Sequence, residues 1–267
     1  MVKPRTVLVV IDPQNCFMDI EGAPLQVPGA VADMRRLGYL LDYYAKSIHE
    51  IIVSLDTHVP DHISHSQRWV DVHGNHPAPF TLITYQDCLE EKWRAANPAD
   101  QDWQLEYLRL LKRPHIIWPV HGQKPSWEWQ VYKDLSPALD RHCNVRYIEK
   151  GMHRDVEQFG IFGAEVPYPG APETDINHKL IEHIDSYDHV IFAGEAASHC
   201  VMDSVKQFLE NMPSQDTKKV SVLRDCTSPV DGFEQLASEW FENLKNQGVQ
   251  VVYWGSSHLS FSDSQKS

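Results

Sequence analysis

The sequence predicts a three-layer α/β fold, a six-stranded parallel sheet with helices on both faces, and three observations point to it. Short β-branched runs recur at residues 7–11, 51–55, 145–148, 189–193, 220–223 and 249–253. Each is nearly continuous in apolar side chains, as strands buried on both faces require. Helical patterns fall between the runs, at 30–47, 134–141, 176–186, 200–211 and 233–247. Strand and helix alternate, which favours parallel pairing through helical crossovers. The length of 267 residues suits one large α/β domain with a substantial core, so 1–267 is read as a single unit.

One region breaks the rhythm. Residues 72–115 carry His, Pro and Trp and a predicted helix near 102–112, inserted after the second core strand. This insert reads either as a surface excursion packed on the domain or as a lid or oligomer contact. The Ser-rich tail after His258 is expected to fray.

Charge and cysteine content narrow the partners. A formal net charge of -13 creates a field that repels nucleic acid and anionic membranes, so a small-molecule partner is expected. The five cysteines, Cys16, Cys88, Cys143, Cys200 and Cys226, are scattered without a CxxC pair. Neither a disulfide framework nor a thiolate zinc cluster is indicated, and a reducing cytoplasm is the expected compartment. Residues 1–6 run into the first strand without the apolar segment of a signal peptide, and no stretch approaches the roughly 18 apolar residues of a membrane helix.

In open parallel sheets the ligand crevice lies beyond the carboxyl ends of the strands, which makes the polar residues there the first candidates. The first run ends in Asp12, the second in Asp56-Thr57-His58, the third is followed by Glu149-Lys150-Gly151, and the fourth by a small-residue turn ending in Ser198-His199-Cys200. Taken singly, each has an ordinary role: Cys200 as a small buried side chain, Asp12 as a helix cap, Lys150 as a solvated cation. Together they supply a thiol, a cation and a carboxylate, the set that amide-cleaving cysteine chemistry needs. A free thiol is mostly protonated at neutral pH, so it needs a cation, a base or a helix N-terminus to become a nucleophile. Lys150 is expected to favour the thiolate, and Asp12 to take the thiol proton and pass it to the leaving amine. Backbone N–H groups of the turn at 196–200 are placed to stabilise an oxyanion.

A second cluster has metal-ligand character. Asp56 and His58 project to one side of an extended segment, and His121 follows the apolar run Ile116-Ile117 in Trp118-Pro119-Val120-His121. One carboxylate and two imidazoles leave coordination positions open, as in a catalytic site. With 15 histidines in the chain, a chance DxH pair is the competing explanation.

These motifs in combination resemble the isochorismatase-like superfamily, and especially its nicotinamidases. Asp12-Pro13-Gln14-Asn15-Cys16-Phe17 is similar to the family's D-x-Q-N-D-F segment, with Cys16 in place of the usual acid. The stretch from Asp56 through His58 and His62 to Ser64 resembles D-W-H-P-x-x-H-x-S, and Trp118-Pro119-Val120-His121 resembles W-P-x-H. Lys150-Gly151 matches the catalytic K-G, and the turn before Cys200 is similar to G-x-A-T-D-x-C-V. The resemblance covers most of the chain outside the insert.

It implies an isochorismatase-like, Rossmann-like sheet and hydrolysis of a small carboxamide to acid and ammonia through a thioester. Catalysis would rest on Asp12, Lys150 and Cys200, with the N–H groups of Ala196 and Cys200 as the oxyanion hole beside a cis Glu195–Ala196 peptide. A divalent metal, zinc with iron or manganese as alternatives, would be held by Asp56, His58 and His121. Phe17, Leu25, Trp118, Phe159, Glu195 and His199 would wall the substrate pocket, and a homo-oligomer is implied. Three departures bear on substrate: Gly122-Gln123-Lys124-Pro125-Ser126-Trp127 replaces C-x-x-G-T-x-G, Phe159 stands where Tyr is common, and Glu195 where an apolar residue is frequent. Two other readings compete, a metal-free isochorismatase or ureide-type hydrolase and a catalytically silent binding protein.

Overall fold

The computed structural model describes residues 4–255, so the tail after His258 lies outside the described residues. Among the described residues, ten strands run in chain order: β1 (Thr6–Ile11), β2 (Glu50–Asp56), β3 (Trp69–Val70), β4 (Leu82–Ile83), β5 (Arg94–Ala95), β6 (His115–Ile116), β7 (Val145–Lys150), β8 (His189–Gly194), β9 (Val220–Leu223) and β10 (Gln250–Val252). The α-helices are α1 (Ala30–Tyr44), α2 (Tyr85–Leu89), α3 (Gln101–Leu110), α4 (Ser136–Asp140), α5 (His178–Asp185), α6 (Cys200–Asn211) and α7 (Glu234–Asn246). Six strands form one parallel sheet in the order β10-β9-β8-β1-β2-β7. This is the expected six-stranded architecture, with each core strand within a few residues of its predicted run.

The central strands β1 and β2 are buried at every residue, which is why their sequences read as nearly continuous apolar runs. Strand β7 differs. It is the sheet edge, its middle residues are exposed, and its Val-Arg-Tyr-Ile-Glu-Lys sequence is correspondingly mixed. It also runs two residues past its predicted end, and its pairing register sets Lys150 directly opposite Asp56. At the sheet centre, Ile11 pairs with Gly194, and the approach is so close that a Cβ on Gly194 would lie 2.0 Å from the Ile11 carbonyl oxygen. Only glycine permits β8 to end there, beside the end of β1.

The insert is structured. Two small antiparallel pairs, β3 with β5 and β4 with β6, join α2 and α3 around Trp69, Ile83, Tyr107 and Leu108. That core also receives Val156 and Val166 from the segment after β7. The predicted helix at 102–112 corresponds to α3 at Gln101–Leu110. Among the described residues, no helix is long and apolar enough to cross a membrane.

Candidate active site

The carboxyl ends of β1, β2, β7 and β8 bring the predicted polar residues together. Asp12 follows β1 in a left-handed conformation, φ 45°, and Ser54 of β2 fixes its carboxylate by donating its hydroxyl at 2.6 Å. Lys150 ends β7 and is 2% exposed. Its Nζ lies 3.0 Å from Asp12 Oδ2, 2.8 Å from Asp56 Oδ1 and 3.7 Å from Cys200 Sγ, and donates to the Gln158 carbonyl at 3.1 Å. Thiol, ammonium and two carboxylates therefore meet in one buried cluster.

Its electrostatics follow from burial and from that single ammonium. Burial lowers a lysine's proton affinity, but Asp12, Asp56 and Cys200 outweigh it and hold Lys150 well above the ordinary range, so it stays charged. Burial raises Asp12, against the pull of Lys150, which makes its carboxylate a stronger base than an exposed one. Asp56 is held well below the usual range: burial pushes it up, but the Lys150 ammonium and His121 beside it prevail. Lys150 favours the Cys200 thiolate, as expected, but does not prevail. Burial keeps the thiol well above its usual range, Lys150 opposes this incompletely, and Asp12 and Asp56 add to the rise. The resting nucleophile is a thiol, with Lys150 Nζ between it and the Asp12 carboxylate that would serve as its base.

Cys200 is the first residue of α6, preceded by His199 in a non-helical conformation. Among the described residues, no acceptor is bonded to the backbone N–H of Ala196 or of Cys200, as expected at the open end of a helix. The Glu195–Ala196 peptide is cis. A pocket opens over this turn, lined by Phe17, Leu25, Trp118, Phe159, His199 and Cys200 together with Ala196, Val230 and the Asp56, His58, His121 and Glu157 cluster. Edge-to-face contacts brace its walls, with Phe17 and His121 centred 5.5 Å apart and Trp118 and His199 5.2 Å apart. Glu195 is not among the lining residues. Its Oε2 accepts the Ser228 N–H at 3.1 Å on the other side of the turn, so its expected place in the pocket is corrected.

Beside the thiol lies a group suited to a divalent cation. Asp56 Oδ2 is 3.2 Å from His121 Nε2, and Asp56 Oδ1 is 3.5 Å from His58 Nε2. Ligand atoms of His58, His65 and His121 all lie within 4.8 Å of one another, as do those of His58, His62 and Glu157. Both ring nitrogens of His58, Nε2 of His65 and Oε2 of Glu157 are buried without a hydrogen-bond partner, a costly arrangement unless something binds them. His65 and His121 each turn Nδ1 to a backbone carbonyl, of Pro60 at 3.1 Å and of Pro119 at 2.8 Å, which leaves Nε2 as the ligand atom.

Burial lowers the proton affinity of His58, and brings His65 down to about 4, so both imidazoles are neutral as metal binding requires. His62 has both nitrogens occupied, by Ser64 Oγ at 2.7 Å and the Val156 carbonyl at 2.9 Å, and it stacks on His58 from behind. Gly151, φ 76°, is required because a Cβ there would lie 2.9 Å from His58 Nε2. The residues present fit a divalent metal. Sequence spacing singled out Asp56, His58 and His121 and missed His65 and Glu157. His65 follows the matched segment by one residue, and Glu157 stands in a loop without periodicity.

No family model matches the chain. A curated nicotinamidase of Acinetobacter baylyi is 25% identical over 252 residues, covering 92% of this chain and 91% of that protein. Among solved structures, the yeast nicotinamidase Pnc1p superposes with a TM-score of 0.67 at 24% identity, covering 92% of this chain and 99% of that one. The Pyrococcus horikoshii pyrazinamidase in complex with zinc gives a TM-score of 0.59 at 18% identity, covering 94% and 100%. The chain shares its fold with these hydrolases over nearly its whole length. In sequence it is similar to a curated nicotinamidase across nine-tenths of both chains.

Proposed function

We propose that the protein is an amidohydrolase that cleaves a small carboxamide, nicotinamide or a close relative, to the acid and ammonia. One observation carries this reading: Lys150 Nζ stands within hydrogen-bonding or ion-pairing range of Asp12, Asp56 and the Cys200 sulfur together. Relatives described as nicotinamidases and pyrazinamidases support the substrate class.

Asp12 accepts the Cys200 proton as the sulfur attacks the amide carbon, and Lys150 offsets the negative charge that gathers on the sulfur. The N–H groups of Ala196 and Cys200 bind the oxyanion. Asp12 then returns the proton to the nitrogen, the C–N bond breaks, and ammonia leaves a thioester on Cys200. Water attacks the thioester while Asp12 takes one of its protons. The intermediate collapses to the acid, and the sulfur recovers the proton from Asp12.

Phe17, Leu25, Trp118, Phe159 and His199 form a mostly aromatic pocket wall, which suits an aromatic ring. Asp56, His58, His65 and His121 would hold a divalent metal, zinc in the first instance with iron or manganese as alternatives. Such an ion, when bound, supplies a Lewis acid that fixes a ring nitrogen and so orients the carboxamide toward Cys200. We read residues 1–267 as one catalytic domain with its insert, a homo-oligomer of the cytoplasm acting on free small amides. The net charge of -13 supports the exclusion of nucleic acid and anionic membranes.

An ammonia-release assay across nicotinamide, pyrazinamide and aliphatic amides, with elemental analysis of the purified protein, tests this reading. Turnover of the heteroaromatic amides with bound metal is expected. Ammonia from none of them would refute it.

A further inference from the structure

Two loops carry donors of the candidate metal cluster. Residues 57–65, after β2, bring His58 and His65, and residues 151–158, after β7, bring Glu157. No helix aligns these loops, so their register depends on the bonds that join them. The Ile63 N–H meets the Arg154 carbonyl at 2.7 Å, and His62 Nε2 meets the Val156 carbonyl at 2.9 Å. The third tie is a single guanidinium. Arg68 Nη1 donates to the Asp61 carbonyl at 2.8 Å, between His58 and His65, and Nη2 donates to Asp155 Oδ1 at 2.6 Å, two residues before Glu157.

Arg68 stands at the entry to the insert and is held from it. Its N–H bonds the His65 carbonyl at 3.1 Å, and its own carbonyl accepts the Ala96 N–H at 2.9 Å. Other insert residues reach the same two loops. The Ile63 carbonyl accepts Trp69 Nε1–H at 2.7 Å and His115 Nε2–H at 3.0 Å. On the second loop, the Asp155 carbonyl accepts Trp103 Nε1–H at 2.7 Å and the Glu157 N–H bonds the Tyr107 hydroxyl at 3.3 Å. Arg68 is 5% exposed, and a charge so buried persists only where it is paired and hydrogen-bonded. Asp155 and, at 3.4 Å, Asp100 supply the pairing. A planar guanidinium can aim separate N–H groups at two loops, which a lysine ammonium on its flexible stem does not reproduce.

We propose that Arg68 is a positioning residue for the metal centre, the clamp through which the insert keeps His58, His65 and Glu157 assembled. Its guanidinium bonds none of the donor atoms and does not line the pocket, so it acts only through the two loops. Cys200 stands outside this network, at the start of α6. Loss of the clamp therefore loosens the metal cluster and leaves the thiol in its surroundings. The inference rests on reading the histidine cluster as a metal site and is independent of which amide is cleaved.

The test compares the wild-type protein with Arg68→Lys, Arg68→Met, Asp155→Asn and the double variant Arg68→Met with Asp155→Asn. Zinc affinity is read by competition with a chelator, and the alkylation rate of Cys200 in the metal-free proteins is read by mass spectrometry. Each single variant is expected to bind zinc about tenfold more weakly or worse, as lost support for metal ligands does. The double variant should lose little more than either single one, because the two side chains act as one contact. Cys200 alkylation should be unchanged. Asp155→Asn, which keeps an acceptor oxygen, carries the test if the Arg68 variants do not fold. Wild-type zinc affinity in Arg68→Lys or in a folded Asp155→Asn would overturn the clamp, as would losses that multiply in the double variant. An alkylation rate that shifts as far as the zinc affinity would mean general loosening and overturn the positioning role. A wild-type protein that takes up no zinc would sink the metal reading and this inference with it, whereas zinc uptake without ammonia release from any amide would sink the amide reading alone.

Discussion

The Lys150 ammonium stands 2.8 Å from the Asp56 carboxylate and 3.7 Å from the Cys200 sulfur, so one buried cation joins the candidate metal cluster to the candidate nucleophile. Replacing it with an apolar side chain of similar length removes the charge that Asp12 and Asp56 both need. Lys150→Met is therefore expected to destabilise the protein by about 3–5 kcal/mol, as breaking a buried ion pair does. It should also lower kcat by about 10²-fold or more. Chemical denaturation and steady-state ammonia release check both, and wild-type stability in the variant would contradict the pairing.

His65 is expected to be a metal ligand. Its Nδ1 is committed to the Pro60 carbonyl and its Nε2 faces His58 and His121. His65→Ala should weaken metal binding by at least about tenfold, measured by competition with a chelator. Metal removal should raise KM for a ring amide and be reversed by adding the metal back. Unchanged metal affinity in His65→Ala would exclude it from the site.

Arg113 connects the insert to the pocket. Its guanidinium reaches Glu165 and Asp203, each at 2.6 Å, and lies over the Phe159 ring at 4.7 Å. Because Phe159 is a pocket wall and Asp203 lies in the first turn of α6, Arg113→Ala should loosen the binding surface more than the chemistry. A rise in KM of about tenfold with a smaller change in kcat is expected, the signature of lost uniform binding. Equal loss in kcat would assign Arg113 to the reaction itself.

Stability should fall as the solution is acidified through the histidine range. Burial lowers His115 from 6.5 to about 4, and its Nε2 bonds the Ile63 carbonyl at 3.0 Å. The unfolded chain protonates this ring near 6.5 while the folded protein resists until about 4. Protons therefore favour unfolding across that window. The contribution is about 3 kcal/mol, fully present above the unfolded pKa and lost as pH falls toward the folded one. Denaturation midpoints at pH 7.5 and 5 should differ less for His115→Gln than for the wild-type protein, and an equal difference would refute the assignment.

The sheet was legible because its strands are buried on both faces, so β1 and β2 appear as short, β-branched, mostly apolar runs bounded by polar turns. Asp12, Lys150 and Cys200 were legible because polar residues at strand ends in a parallel sheet converge on one edge. His65 was not, since its role depends on which ring nitrogen the Pro60 carbonyl occupies, a matter of loop geometry. Glu195 was misplaced because a one-residue change of direction at a turn decides whether a side chain faces pocket or core. The resting charge state of Cys200 was not legible, because spacing reveals the nearby cation but not the extent of burial that opposes it.

Cys200→Ala tests the central claim most directly, with ammonia release from nicotinamide measured beside circular dichroism and thermal unfolding. The variant is expected to fold and melt like the wild-type protein and to release no ammonia above the buffer rate. A folded Cys200→Ala that still turns over the amide would contradict the thioester route and the site built around it.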